Sequence, residues 1–325
     1  MIFQLFKELK DAGTLGMNRR NAEYIMKYNA RALFPLVDNK VLTKQLAQKY
    51  GVPTPELYHV IEHHGDMAGL DEALGDHSEF ALKPARGSGG SGIILIVDRK
   101  PEGFMRQSGR IMSREDFRYH ISGILSGIYS LAGQEDVAIV EALIHPAPIF
   151  AEVTYRGVPD IRIIVYRGVP VMAMTRLPTR ASDGKANLHS GAIGAGIDIG
   201  TGVTLTAVHR SKVITHHPDT GNPVEGVKIP YWDSLLLTAA KAFEMTGLGY
   251  IGVDLVIDLD KGPLLLELNA RPGLQVQIAN ESGLWKRLEF VNSASPEVFL
   301  RAEDRVAWAK STLAVSNGAG GKSVQ

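Results

Sequence analysis

Two kinds of apolar run follow one another along this chain. Val41, Leu42 and Leu46 recur at helical spacing between Asp38, which can cap a helix N-terminus, and Gly51, where a helix stops ahead of Pro53 and Pro55. Ser113 and Asp116 stand in capping-box arrangement and open a second helix, to about Leu131. A third helix is predicted over 233–246, with Asp233 as cap and Gly247 as stop, and a last one over 275–282. Short runs rich in branched residues predict strands at 57–61, 80–83, 93–97, 137–144, 161–166, 169–175, 250–259 and 263–269. The last two flank Asp258-Leu259-Asp260-Lys261-Gly262, a hairpin signal. Residues 1–37 read as polar helix, 62–78 as a polar stretch with one helical turn, and 178–203 as a glycine-rich irregular segment. The Gly/Ser-rich tail from Ser311 predicts disorder. Hairpin-like strands with separate helices make the fold class α+β, not a strictly alternating parallel sheet.

Composition narrows the function classes. Hydrophobic residues make up 45% of the 325, enough for a sizeable core. The 35 basic and 35 acidic residues cancel, which argues against a global grip on nucleic acid or anionic membrane. Cysteine is absent, so disulfides, thiolate metal sites and cysteine nucleophiles are excluded. No apolar run reaches the ~18 residues of a membrane span, and Lys7, Glu8 and Lys10 interrupt the N-terminal one. A soluble cytoplasmic protein is the expectation. The informative excess is glycine, 34 residues in clusters, as where backbone approaches a ligand.

Several motifs fail their context tests. Gly87, Gly89 and Gly92 spell the dinucleotide fingerprint, but that motif needs a helix after the loop and a strand is predicted there. An oxidoreductase reading rests on those glycines alone. Gly321-Lys322-Ser323 lacks the first P-loop glycine, Ser316 standing in its place, and has only two residues after it. His63-His64 and His216-His217 have no further ligands at metal spacing and read as solvated surface.

Four separated pieces ask for a common explanation. Lys40 stands in the first turn of its helix. Lys83 ends a hydrophobic strand, where an ammonium needs a partner, and runs into Gly87-Ser88-Gly89-Gly90-Ser91-Gly92, whose amides can wrap phosphate oxygens. Asp254 lies inside an apolar strand, expensive unless paired or metal-bound. Glu267 and Asn269 share one face of the next strand, opposite Leu266 and Leu268. If the hairpin forms, these three oxygen-bearing side chains converge, and hard Mg²⁺ or Mn²⁺ is the ion they suit. The alternatives are a solvated Lys40, a plain hairpin tip after Lys83 and an ion pair at Asp254. Carboxylates left without a ligand on one face would repel each other.

The order Lys, Lys plus glycine loop, then Asp and Glu-x-Asn resembles the ATP-grasp superfamily, and most of all the RimK-type α-L-glutamate ligases and their glutamate ligase-like relatives, over about residues 38–282. The resemblance implies two α+β subdomains gripping ATP, with Lys40, Lys83 and the six loop residues on its phosphates. It makes Glu141, Ala142 and Leu143 the hinge that reads adenine. It places Asp160 near the nucleotide and Arg162 near the substrate, through Asp160-Ile161-Arg162, and Asn187 near phosphates or metal, through Asn187-Leu188-His189-Ser190-Gly191. Asp254, Glu267 and Asn269 become the metal ligands, of Mg²⁺ or Mn²⁺, as a pair of ions. The implied organisation is a helical extension over 1–37, an N-terminal ATP-grasp subdomain over 38–144, a C-terminal one over 145–300 and a tail over 301–325. Two features depart from the pattern. Only 39 residues precede Lys40, in place of a full pre-ATP-grasp domain, and Arg271 stands where a small residue is usual.

The implied activity is ATP-dependent ligation of a carboxylate to an amine through an acyl phosphate, adding a glutamate-like amino acid to a peptide or protein. Arg162 and Arg271 are the expected catalytic pair, Arg271 orienting an acidic substrate. The alternative is an ATP-binding module whose acceptor site a partner supplies. Family association adds a membrane-protein partner, and RimK-type relatives are often homo-oligomers.

Overall fold

A computed structural model describes residues 8–87, 89–130, 133–210 and 212–315. The chain divides into two compact units, one made of residues 32–148 with 256–268, the other of residues 1–31, 149–255 and 269–325. We call them the glycine-loop unit and the carboxylate unit.

The glycine-loop unit opens on helix α1 (Lys40–Lys49). Asn39, not Asp38, caps it: Asn39 Oδ1 accepts from the N–H groups of Val41 at 2.9 Å and Leu42 at 3.4 Å. Pro35 starts a separate short helix that ends at Asp38, which moves the true start one residue along. Strands β1 (Leu57–Ile61), β2 (Phe80–Pro84), β3 (Ile94–Lys100), β4 (Gly103–Arg106), β5 (Ile111–Ser113) and β6 (Ala138–Glu141) form an antiparallel sheet in the order β1-β6-β2-β3-β4-β5. Helix α2 (Arg114–Leu125) is capped by Ser113, whose Oγ accepts from Asp116 N–H. It stops short of the expected Leu131, itself outside the described residues, because Gly127 turns to φ 81°, where a Cβ would stand 2.2 Å from the Gln134 carbonyl. Phe80, Phe104 and Phe117 interlock at centroid distances of 4.4–5.9 Å and bind α2 to the sheet. Residues 62–78 hold a 3₁₀ turn and one short helix (Leu70–Leu74).

The carboxylate unit is built on β7 (Asp160–Tyr166), β8 (Val169–Leu177), β9 (Ile193–Ile197), β10 (Thr204–His209), β11 (Lys212–Ile214), β12 (Tyr250–Asp258) and β13 (Gly262–Asn269), ordered β11-β10-β9-β8-β7-β12-β13. Residues 256–268 of the last hairpin are counted with the glycine-loop unit. Strand β9 falls inside the segment that reads as irregular. Its glycines are a packing surface: a Cβ at Gly196 would meet the Ala279 carbonyl at 2.6 Å, and one at Gly194 would meet Leu188 at 2.9 Å. Helix α3 (Trp232–Thr246) starts at Tyr231 without a side-chain cap, so Asp233 lies in the first turn and pairs with Lys310; Gly247 closes the helix at φ 68° as expected. After α4 (Gln275–Ala279), shorter than predicted, come two unforeseen helices, α5 (Leu284–Asn292) and α6 (Ala302–Thr312). Ser311 and Thr312 are thus helical; residues 316–325, including the P-loop-like Gly321-Lys322-Ser323, lie outside the described residues. His217 corrects the reading of its pair as surface: it is 1% exposed and its Nε2 donates to the Pro178 carbonyl at 3.1 Å.

Residues 17–28 are helical, with a π-helical turn at Arg20–Ile25, and they are sewn to the strand ends of their own unit. Asn29, 3% exposed, accepts from Tyr250 N–H at 2.9 Å and donates to the carbonyls of Tyr250 at 2.7 Å and Ala270 at 2.9 Å. Arg20 donates to the Pro272 carbonyl at 2.9 Å. Asn29→Ala strands three buried backbone groups, and we expect a loss of about 3 kcal/mol by urea unfolding. A loss below about 0.5 kcal/mol, the scale of a neutral surface change, contradicts this bracing role.

Candidate functional site

In the glycine-loop unit the β2–β6 register sets Lys83 beside Ile139 and Ala81 beside Glu141. Lys83 is 6% exposed and ion-pairs with Glu141, which is 1% exposed. Lys44, one helical turn after Lys40 on α1, reaches the other oxygen of Glu141 at 2.9 Å. Burial alone would raise the Glu141 carboxyl, but the two ammonium groups outweigh it and hold it below the usual range. Burial pulls Lys44 below the usual lysine value, with Lys83 pushing the same way. Two cations on one buried carboxylate leave a surplus positive charge, which an anionic ligand would neutralise.

Lys40 Nζ donates to the Gly87 carbonyl at 2.8 Å, at the start of the glycine loop. Gly89, Gly90 and Gly92 turn to φ 64°, 78° and 77°, and a Cβ at Gly90 would meet nothing within 4 Å. At Gly90 there is thus open space where backbone can approach a ligand. Ser91 belongs to this turn, while Ser88 lies outside the described residues. A strand, β3, follows the loop, as the rejection of the dinucleotide reading requires. At the expected hinge, Ala142 N–H is committed to the Glu56 carbonyl at 2.8 Å, so an adenine edge would be left Leu143, which is half-buried.

In the carboxylate unit three strands bring four charges together. Register pairs Asp254 with Arg162 and Asp160 with Arg176. Arg162 grips Asp254 through Nε at 2.7 Å and Nη2 at 2.5 Å. Arg176 grips Asp160 through Nε and Nη2, both at 2.5 Å, and its Nη2 also reaches Asp254 at 2.9 Å. Asn269 Nδ2 donates to Asp254 at 3.3 Å. Burial would raise Asp254, but Arg162 and Arg176 outweigh it and hold it at about 2. Burial raises Asp160 to about 6, against the pull of Arg176 and helped by the charge of Asp254. The expected repulsion among carboxylates is therefore replaced, at Asp254, by pairing with two guanidiniums.

The remaining expected residues are Glu267, Asn187 and Arg271. Glu267 lies half-buried on β13 in the glycine-loop unit. Asn187 caps a short 3₁₀ turn, its Oδ1 accepting from His189 N–H at 3.0 Å, and Gln275 holds the His189 ring at 2.7 Å. Arg271 is exposed on the turn after β13, and that turn presses on β12 where a Cβ at Gly252 would meet Pro272 at 2.7 Å. Sequence reasoning missed Lys44 and Arg176. Lys44 had a signal, its i,i+4 spacing from Lys40. Arg176 had none beyond its place late in an apolar strand, because its role depends on the β7–β8 register.

Asp254, Glu267 and Asn269 fit a hard divalent ion in kind, being oxygen donors without thiolate or imidazole. Asp254 is also the counter-ion of two arginines, which an ion would have to share. Among the described residues, no group of three or more His, Cys, Asp or Glu side chains is placed to hold a metal ion. No helix among them is long and apolar enough to cross a membrane.

The α+β architecture, with its two antiparallel sheets, is that of an ATP-grasp protein. A model of the sugar-transfer associated ATP-grasp family matches residues 19–293, and the chain belongs to that family. No curated protein matches it. Similar solved structures include the ATP-grasp ligase PsnB complexed with a minimal precursor, at 14% identity and TM-score 0.44, over 82% of this chain and 63% of that one. The D-cycloserine synthetase DcsG is 15% identical at TM-score 0.47, over 81% and 72%. The D-alanine–D-alanine ligase of Bacillus anthracis complexed with ATP is 12% identical at TM-score 0.41, over 85% and 65%. The chain thus spans less than two thirds of the length of PsnB.

The two aspartates titrate in opposite senses. Asp254, lowered from 3.8 to about 2, adds stability as pH rises through that window, because the unfolded chain holds the proton longer. Asp160, raised from 3.8 to about 6, removes stability as pH rises between those values, because the folded chain holds it longer. In metal-free buffer Asp160→Asn should flatten this fall between pH 3.8 and 6, while Asp254→Asn lowers stability by about 3 kcal/mol instead of relieving repulsion. Thermal melts at stepped pH check both. An Asp160→Asn profile parallel to wild type would contradict the Asp160 assignment.

Proposed function

We propose that this chain is an ATP-dependent ligase that joins a carboxylate to an amine. The observation that carries the reading is the surplus positive charge of Lys44, Lys83 and Glu141, together with a left-handed glycine turn opened by Lys40. Family membership supports the nucleotide, since ATP-grasp proteins are named for it. The resemblance to RimK-type enzymes in Asp160-Ile161-Arg162 and Asn187-Leu188-His189 favours an amino acid as one substrate and a peptide or protein as the other. The family is described as sugar-transfer associated, so amino sugars are among the amines worth testing.

In this reading a substrate carboxylate oxygen attacks the γ-phosphorus of ATP, ADP leaves, and an acyl phosphate forms. The amine then attacks the acyl carbon, phosphate leaves, and an amide bond results. No protein nucleophile is needed, in keeping with the absence of cysteine. Lys40, Lys83 and the loop amides bind and neutralise phosphate oxygens, and the loop shields the acyl phosphate from water. Glu141, Ala142 and Leu143 would supply the backbone edge for adenine. Arg162, held by Asp254, and Arg176, held by Asp160, are fixed donors for the oxyanion and the substrate carboxylate. Asp160 and Asn187 would complete the nucleotide side. Mg²⁺ would be held by the oxygen donors of β12 and β13 (Asp254, Glu267 and Asn269), and bound there it screens phosphate charge.

A phosphate-release screen over amino acids, short peptides and amino sugars, with mass spectrometry of products, tests the activity. Phosphate release without any amide product would favour an ATP-binding module whose acceptor site a partner supplies. Lys83→Ala should weaken ATP binding at least tenfold by calorimetry, measured below its melting temperature because Glu141 keeps only Lys44. Unchanged ATP affinity would refute the phosphate role. For Arg271, the bidentate fork of a guanidinium suits a carboxylate where lysine does not. Arg271→Lys should raise substrate KM or lower kcat about tenfold, roughly 1.4 kcal/mol, with ATP affinity unchanged. Substrate parameters within error of wild type would remove Arg271 from the site.

A further inference from the structure

A second binding surface lies wholly within the glycine-loop unit. The β4–β5 hairpin, the outer side of α2 and residues 128–129 enclose a cleft of about 360 Å³. Arg106 and Arg110 come from one tight turn, in which Arg106 N–H donates to the Arg110 carbonyl at 2.9 Å. Both are exposed, and neither has an ion-pair partner among the described residues. Nearby arginines are treated differently: Arg99 and Arg114 share Asp71 as an ion-pair partner. The cleft's acid is Asp116, already engaged by Ser113.

Its apolar walls are just as unusual for a solvated surface. Tyr119 is 80% exposed and Ile128 70%, on the same cleft. Large apolar side chains beside unpaired arginines are the composition of a recognition surface, not of a plain exterior. The floor is rigid. His120 Nε2 donates to the Gly92 carbonyl at 2.9 Å, and Tyr129 hydroxyl meets His120 Nδ1 at 3.2 Å. Tyr129 also lies against Gly92, where a Cβ would meet its ring at 2.6 Å. The cleft is therefore built onto the end of the glycine loop itself.

We propose that this cleft binds an acidic peptide segment, its carboxylates on Arg106 and Arg110 and an aliphatic side chain between Tyr119 and Ile128. The concave shape suits a side chain better than a bilayer surface. Tyr119 shares the cleft with Ile128, Tyr129 and His120 are tied to each other, and a basic track of two arginines is too short for a run of stacked bases, so a peptide suits it better. The identity of the occupant rests on the peptide-acting reading above. Binding is therefore measured without nucleotide, so that failure here leaves the ligase reading to its own assay.

The probe is a fluorescein-labelled Glu-Glu-Leu-Glu-Glu-Leu peptide, with its Gln-for-Glu counterpart as control, followed by anisotropy. We expect saturable binding of the acidic peptide, weaker at higher salt, and at least tenfold weaker binding of the neutral one. The double variant Arg106→Glu/Arg110→Glu should lose at least tenfold in affinity, and Tyr119→Ala several-fold. All three residues are exposed, so the fold is not at stake, and circular dichroism verifies it. Equal binding of both peptides, or an unaffected double variant, overturns the proposal. So does binding of phosphatidylserine vesicles or oligo-dT through these residues with none of the acidic peptide.

Discussion

A carboxylate on a buried strand must be neutralised where it stands, and that constraint organises both halves of this protein. Asp254 and Glu141 are each almost fully enclosed, and each is answered by two cations from other elements. The pairs bind β12 to β7 and β8 in one unit, and β6 to β2 and α1 in the other. Removing one partner of such a pair costs far more than the pair contributes, because the survivor is left charged without water. The groups that fix the strands are thus also the groups with the charge needed to handle anions.

The two clusters differ in their balance of charge. Around Glu141 the sum is one positive charge too many, while Asp160, Asp254, Arg162 and Arg176 cancel when all are ionised. An excess cation in a dry place favours an incoming anion, so it suits phosphate. A neutral cluster holds its arginines still without strongly attracting anything, so it suits orientation of a substrate group and of developing charge. Asp160, drawn up to about 6 by burial, is where this balance first gives way to protonation.

Much of the arrangement was legible in the sequence because burying charge is costly. Lys83 at a strand end and Asp254 among apolar neighbours are improbable without partners, and both have them. The partners were harder to see. Arg176 opposes Asp160 only through the β7–β8 register, which no local pattern specifies. Strand β9 was hidden because Gly194 and Gly196 look like loop residues, yet their missing side chains are what let α4 pack closely. The helix starts at Asn39 and Tyr231 differ from the expected Asp38 and Asp233 because Pro35 and a left-handed Tyr231, not the nearest acid, decide where the turns begin.

Asp254 carries the sharpest tension. As a metal ligand it should offer oxygen lone pairs; as the counter-ion of Arg162 and Arg176 it has already given them away. Both roles are compatible only if the phosphates that accompany a metal ion also take over one guanidinium, since a divalent cation set beside two arginines without added negative charge would be repelled. Metal affinity at this carboxylate should then depend on the nucleotide. Of the two arginines, Arg176 is the better held in such an exchange, because Asp160 retains it through two further hydrogen bonds, whereas Arg162 Nε and Nη2 both donate to Asp254. Of the two guanidiniums, Arg162 is thus the one with less to hold it should Asp254 take a metal ion.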